Sequence, residues 1–487
     1  MLTGHDPIVL IDGRFGKQVL SVSLVLGVGM AEATTAVELR DADDGRVVNV
    51  GRARHAPTRA ETIEADPRVW WQGLVEACQQ AGRAAGVGAV AVAAHQSGVV
   101  VLDEHHEVLR PSHPATVDAR ADAAGLIEAL GGPSEWVAEV GMVPDATFPV
   151  VQLAWLRRTE PRRFAATAKI LTLHAWLTYR LSRQFVTDRG DASRTGFWSP
   201  RENRWRADLL TLVDDTKDWG ACLPRVAAAS EPAGDRGGVR IAPGTGAAMS
   251  AALGVALRPG DLLVLLDAST MVCTVRDRPT EDPRGVVAGY ADATGRFLPT
   301  VSLQNGVNVL GTIARLIGAD RNRFDQLALS APPGARGVSI LPYFAGERIP
   351  PRPPASGLVV GLGDAVTAAH VARAAVEGVA CSVLDAVDAL HTAEVPAGGR
   401  IVLTGDGARS HAVAQILADL SGRAVSVPSG DAVATGACVQ AAAALHRRPA
   451  EEVADAWGVA PDRAVEPATG GNPDAVRAQF RAAQARN

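Results

Sequence analysis

Residues 244–275 read GTGAAMSAALGVALRPGDLLVLLDASTMVCTV, and their layout is that of a phosphate site. A tight Gly-Thr-Gly turn opens a small-residue helix, predicted over 247–257. Pro259-Gly260 turns the chain, an apolar strand is predicted over 262–266, and a second turn falls at 267–270. A helix N-terminus and a turn of bare backbone amides both favour anions. The polar residues that would do chemistry there are mostly missing from this stretch.

Upstream, strands are predicted over 8–12 and 18–28, joined by a Gly-rich turn at 13–16, and again over 34–40. The Asp-rich turn 41–45 returns the chain into 46–50. This is a run of hairpins built from β-branched and turn residues. A helix over about 66–86 starts at Asp66-Pro67, a capping residue followed by proline. Strands follow at 89–94 and 98–102, then helices at 119–130, 150–159 and 174–181. The Gly/Pro-rich segment 233–243 reads as a boundary loop.

Downstream, strands at 262–266 and 271–276 and the segment 285–290 form a meander. Helices are predicted over 307–317 and 365–390. A strand at 400–404 leads through Gly405-Asp406-Gly407 into a helix at 410–420. A short strand at 424–427 and a helix at 432–445 complete this half, and 450–487 is expected as a peripheral tail. Each half therefore reads as hairpin strands followed by alternating helices and strands. Such α/β sheets bind ligands at strand ends or between domains.

A chain of 487 residues suggests two large domains. With 47% apolar and 21% charged residues it has the composition of a globular protein. The formal net charge of −5 is mixed in sign along the chain, with no basic stripe, which argues against nucleic acid. Arg157, Arg158, Arg162 and Arg163 read as a solvated helix face. The five cysteines lie far apart with no CxxC pair, as expected of reduced core thiols. No apolar run reaches the ~20 residues of a membrane span, and the N-terminus lacks a signal peptide's pattern. A cytoplasmic protein without membrane partners is the expectation. His95, His105, His106 and His113 show no ligand spacing, so no metal site is expected from them. Trp70, Trp71, Trp155, Trp176 and Trp198 read as packing.

Several segments, in this order, resemble the FGGY carbohydrate kinases, and within that family its xylulokinase branch. They include GVGMAEATTAVELRDADDG at 27–45, EADPRVWW at 64–71, VTDRGDASRTGFW at 186–198, APGTGAAMSAALG at 242–254, LPYFAGERIP at 341–350 and VLTGDGARS at 402–410. The resemblance spans about residues 24–447. It implies an α/β fold of two ribonuclease-H-like (actin/hexokinase-type) domains flanking a central cleft. It places an N-terminal, sugar-side domain at 1–241, a C-terminal, nucleotide-side domain at 242–447 and a tail at 448–487. The family moves the γ-phosphate of Mg-ATP to a sugar hydroxyl, so ATP and Mg²⁺ are the implied cofactors.

Carried over residue by residue, the resemblance finds most of the chemical groups replaced. Gly29 stands at the metal-linked Asp of the first phosphate hairpin, Glu32 at its hydroxyl residue and Ala36 at its Lys. Ala247 stands at the catalytic Asp and Ala248 at the neighbouring Asn. A methyl group accepts no proton. In the second hairpin, Asp267 and Thr270 replace two glycines and flank Ala268-Ser269. The sugar-side positions implied are Gln96, Ser97 (for a His), Asp118 and Arg120. The nucleotide-side positions are Gly405, Asp406 (for a Gly), Gly407, Ala408 and Arg409, with Ser269 and Thr270. Asp267 and Asp12 are the weak candidates for a displaced carboxylate, and no metal ligands are assigned. The expectation is a xylulokinase-like pseudokinase that binds a sugar-like or nucleotide ligand, as a homodimer or as partner of an active enzyme. The alternative is an active ATP-dependent kinase for D-xylulose or a related sugar or polyol.

Overall fold

The computed structural model describes residues 23–31, 33–55, 66–82, 86–110, 117–352, 355–459 and 463–486. The chain forms two compact α/β units, each built on a mixed sheet. The first comprises residues 1–256, 276–298 and 431–459. The second comprises 257–275, 299–430 and 460–487.

In the first unit, β1 (Leu24–Met30), β2 (Thr34–Asp41) and β3 (Val47–Arg54) form an antiparallel meander. Helix α1 (Pro67–Ala81) follows, capped by Asp66, whose carboxylate accepts from the Arg68 amide. β4 (Val87–Ala94) then lies parallel to β1. Further along come α2 (Val117–Leu130), α3 (Leu173–Ser182), β5 (Val186–Asp188) and the short α4 (Arg189–Ala192). The segment read as a boundary loop is instead a hairpin, β6 (Gly234–Arg236) and β7 (Val239–Ile241). Gly237 and Gly238, with φ of 64° and 86°, make its two-residue turn. Val239 and Ile241 alternate inward, and β7 pairs parallel to β4. The sheet order is β6-β7-β4-β1-β2-β3, and β8 (Thr245–Gly246) also pairs with β4.

Helix α5 (Ala247–Gly254) is shorter than the sequence suggests. Side chains alternate across β1, so its two faces meet different partners. Leu26, Val28 and Met30 join Trp70, Leu74, Val90, Val92 and Leu177 in one core.

In the second unit, β9 (Leu262–Leu266), β10 (Thr270–Cys273) and β11 (Phe297–Leu303) form a meander. α6 (Val307–Leu316), α7 (Arg321–Ser330) and the long α8 (Ala368–Thr392) follow. β12 (Ile401–Thr404) runs parallel to β9 and turns through a single 3₁₀ stretch, Asp406–Arg409, into α9 (His411–Ser421). β13 (Val425–Val427) adds a parallel strand to β12.

The chain then returns to the first unit with α10 (Ala432–His446) and α11 (Ala450–Trp457). α10 covers the other face of β1: a Cβ on Gly27 would stand 2.3 Å from the Ala434 carbonyl oxygen. It also packs on α5, backbone to backbone. A Cβ on Gly254 or Gly436 would fall 2.0 Å from the Ala432 carbonyl or 1.8 Å from that of Ser250. The second unit ends with β14 (Arg463–Val465), antiparallel to β13, and α12 (Pro473–Gln484). In α12, Val476, Phe480 and Ala483 are buried, and Gln484 donates to the Tyr343 hydroxyl. All five cysteines are buried free thiols. Among the described residues no helix is long and apolar enough to cross a membrane.

Candidate functional site

β8 carries the turn that opens α5. Its pairs are Thr245↔Ala93 and Gly246↔Ala94, which set the turn beside His95-Gln96-Ser97 at the carboxyl end of β4. Each residue of the turn is tied down separately. Pro243 O faces His174 Nε2 at 2.6 Å. Gly244 O accepts from Gln440 Nε2 of α10 at 3.3 Å. Thr245 Oγ1 donates to Asp188 Oδ2 at 2.7 Å. Gly246 packs flat on the Gln96 amide, since a Cβ there would stand 2.2 Å from Gln96 Cδ. Gly244 has φ of +71°, where glycine is favoured, and a Cβ on it would meet Val92 O at 2.1 Å and His174 Nε2 at 2.6 Å.

Polar atoms cluster at this strand end. Both ring nitrogens of His95 and Nε2 of Gln96 are buried with no hydrogen-bond partner in the protein. Buried polar groups are normally satisfied, so three such atoms on adjacent residues suit a polyhydroxyl ligand. Burial, aided by the charges of His55 and Arg194, lowers the His95 pKa to about 4, so the ring is neutral. Arg194, half-buried, donates to Gln96 O at 3.2 Å, the Tyr290 hydroxyl at 3.0 Å and Thr147 Oγ1 at 3.2 Å. It holds the His95–Ser97 loop from behind.

Ala247 occupies the first turn of α5, half-buried, with no acidic residue in that turn and no side-chain cap at Gly246. Ala248 is buried. Ser97 is half-buried, and Arg120 is exposed on α2. Asp118 lies in α2. Asp12 and Glu32 fall outside the described residues.

On β1, Gly29 lies against the start of α10. A Cβ there would stand 2.7 Å from Ala434 N and 3.1 Å from Asp431 Oδ1. Asp431 caps α10, accepting from Val433 and Ala434 N at 3.1 Å each. Burial raises its pKa. A metal-linked carboxylate at position 29 therefore does not fit: α10 fills its space. Among the described residues no His, Cys, Asp or Glu group is arranged to hold a metal ion.

In the second unit Asp267 is a knot of turns. Its Oδ1 accepts from Asp406 N at 2.8 Å, and its carbonyl accepts from Val307 N at 2.8 Å. Gly405, with φ of +80°, closes on the same carboxylate: a Cβ there would lie 2.7 Å from Asp267 Oδ1. Thr270 is buried, its hydroxyl donating to Asn305 O at 2.8 Å, while Ser269 is exposed. Arg409 lies 3.6 Å from the Asp406 carboxylate. Gly405–Arg409, Ala268 and Ser269 thus meet around a half-buried negative charge.

His174, Asp188, Asp191 and Arg194 escape the sequence reading as a group. The legible signal was charge inside a buried stretch, since DRGDASR sits between apolar neighbours.

The family model for the N-terminal domain of the FGGY family of carbohydrate kinases matches residues 25–248, and that for its C-terminal domain matches 262–445. The chain is 38% identical over 450 residues to xylulose kinase of Streptomyces rubiginosus, covering 90% of this chain and 91% of that protein. It is 37% identical over 449 residues to xylulose kinase of Streptomyces coelicolor, covering 90% and 91%. The crystal structure of xylulose kinase from Bifidobacterium adolescentis superposes with a TM-score of 0.80 at 31% identity, covering 96% of this chain and 100% of that one.

Proposed function

The chain belongs to the FGGY family of carbohydrate kinases, and we propose that it is a xylulose kinase-type protein taking a ketopentose such as D-xylulose with ATP. The observation that carries this reading is 38% identity to a xylulose kinase across 90% of this chain. The unspent polar atoms of His95 and Gln96 support a polyhydroxyl ligand.

A second reading rests on Ala247: the chain binds its ligand and transfers phosphate very slowly or not at all. A positioned general base contributes roughly 10²–10⁴-fold. Kinases turn over at ~1–100 s⁻¹, so loss of the base alone would leave ~10⁻⁴–1 s⁻¹. Bound ATP and Mg²⁺ would supply the phosphoryl group and charge neutralisation, but no step is assigned to the metal, because position 29 cannot carry its carboxylate. What these residues can do is hold the α5 turn, exclude water from the His95–Gln96 floor and orient sugar hydroxyls.

Sugar-dependent ADP release with Mg-ATP and D-xylulose, run beside a calorimetric D-xylulose titration, separates the readings. Turnover at ordinary kinase rates supports the first. Binding without turnover supports the second, in which the chain partners another enzyme. Neither binding nor turnover would overturn both.

A further inference from the structure

The turn that opens α5 hangs on a fully buried ionic cluster. His174 is 0% exposed, Asp191 0% and Asp188 1%. His174 Nε2 faces Pro243 O at 2.6 Å, and a carbonyl oxygen can only accept, so Nε2 carries a hydrogen. Nδ1 faces Asp191 Oδ2 at 2.9 Å. The Thr172 hydroxyl accepts from Ala175 N and donates to the same Asp191 oxygen. Asp191 Oδ2 is therefore already an acceptor on one side. We propose that His174 is a buried imidazolium, a positioning residue that clamps the Pro243–Gly246 turn against α4 through one strong hydrogen bond at each ring nitrogen.

Charge balance points the same way. The groups facing the cluster are Asp188 and Asp191 from the β5–α4 junction, Arg194 just beyond α4, and His95 at the end of β4. Arg189 lies beyond Asp188. His95 is held neutral, and Arg189 is shared with Asp292. Two buried carboxylates face the ring, so an imidazolium offsets part of their charge, whereas a neutral ring would leave more of it uncompensated, which is costly. Burial by itself would lower the His174 pKa, but the Asp191 hydrogen bond, the charges of Asp191 and Asp188 and the Pro243 carbonyl together raise it. Gly244 completes the clamp, because its missing side chain is the space His174 Nε2 occupies.

The role in ligand binding rests on reading this turn as sugar-facing; the protonation state does not. Nitrogen NMR of the full chain with isotope-labelled histidine tests the latter directly. Both ring nitrogens of His174, assigned by their loss in His174→Gln, should stay in the protonated, imidazolium form from about pH 6 to about pH 8, across the ordinary histidine value of about 6.5. One pyrrole-like and one pyridine-like nitrogen at neutral pH would overturn the proposal, whether or not any sugar binds. His174→Gln carries its donors on a single nitrogen and cannot span both partners. Its D-xylulose Kd should weaken roughly tenfold, and the weakening of wild-type binding as pH rises through the His174 pKa should vanish in the variant. An unchanged pH dependence would mean that His174 does not position the turn. If the variant fails to fold, the spectra of Asp191→Asn serve for assignment, and wild-type spectra still decide the matter.

Discussion

The backbone nitrogen of Ala434 lies 2.7 Å from where a Cβ on Gly29 would stand, and the Asp431 carboxylate oxygen lies 3.1 Å from the same point. β1 has moved under the start of α10 as closely as a bare backbone permits. A side chain at 29 must displace the helix or its cap. Overpacking costs about 1–3 kcal/mol, and a carboxylate beside Asp431 adds like-charge repulsion. Gly29→Asp should lose at least about 3 kcal/mol in urea unfolding and gain no ADP release. Wild-type stability would show that α10 can retreat.

Ala247→Asp is the opposite case. The position is half-buried in the first turn of α5, where a carboxylate interacts favourably with the helix dipole, typically by 0.3–1 kcal/mol. The variant should melt no lower than the parent. On the reading that position 247 faces the sugar hydroxyl, it supplies a proton acceptor and leaves Gly29 and Asp267 unchanged, so ADP release should rise yet stay below the ~1–100 s⁻¹ of ordinary kinases. Full restoration would mean that Gly29 and Asp267 are harmless.

Gly244→Ala should be among the most damaging single-methyl changes in the chain. The new Cβ requires φ of +71° and falls 2.1 Å from Val92 O. A loss of more than about 3 kcal/mol is expected, measured by denaturant unfolding. A loss under about 1 kcal/mol would argue against the rigid clamp.

His95 and Asp188 oppose each other in acid. Burial lowers His95 from 6.5 to about 4, so the unfolded chain binds its proton first and stability falls as pH drops through that window. Burial raises Asp188 from 3.8 to about 6, so the folded chain binds its proton first and stability grows as pH drops through an overlapping window. The two nearly cancel. In His95→Phe the Asp188 trend is no longer opposed by His95. The stability difference between variant and parent should therefore shift toward the variant by about 3 kcal/mol on going from pH 6.5 to pH 4. A difference that does not vary with pH would show that His95 titrates normally.

Asp267→Asn keeps the acceptor for Asp406 N and removes the charge. Like charges about 4 Å apart near a surface repel by up to about 4 kcal/mol before screening, so nucleotide affinity should tighten roughly tenfold. Calorimetry with ADP reads this, and equal affinity would place the phosphates elsewhere.

The periodic parts of the fold were legible. The β1–β3 meander, α1 behind Asp66-Pro67, β9 and the Gly405 turn all follow from alternation, caps and glycines. The α5 turn was legible because the Gly244-Thr245-Gly246 stretch keeps its spacing to the small-residue helix behind it. The β6–β7 hairpin was not, because Gly237-Gly238 reads equally as loop or as tight turn until β4 offers its edge. α12 hid in an Ala-, Asp- and Arg-rich segment whose apolar stripe is thin, Val476, Phe480 and Ala483. The His174–Asp191 clamp joins two helices and a distant carbonyl. No local pattern encodes a proton shared across 17 residues of sequence separation.

α10 completes the first unit only after the chain has passed through nearly all of the second. During synthesis, β1 and β4 thus emerge more than 300 residues before the helix that covers their second face. Until then Gly27 and Gly29 offer bare backbone to the solvent, a surface suited to chaperones. A gene fragment ending at Ala256 should yield insoluble product, and rescue should require co-expression of the segments carrying Arg276–Leu298 and Asp431–Val459.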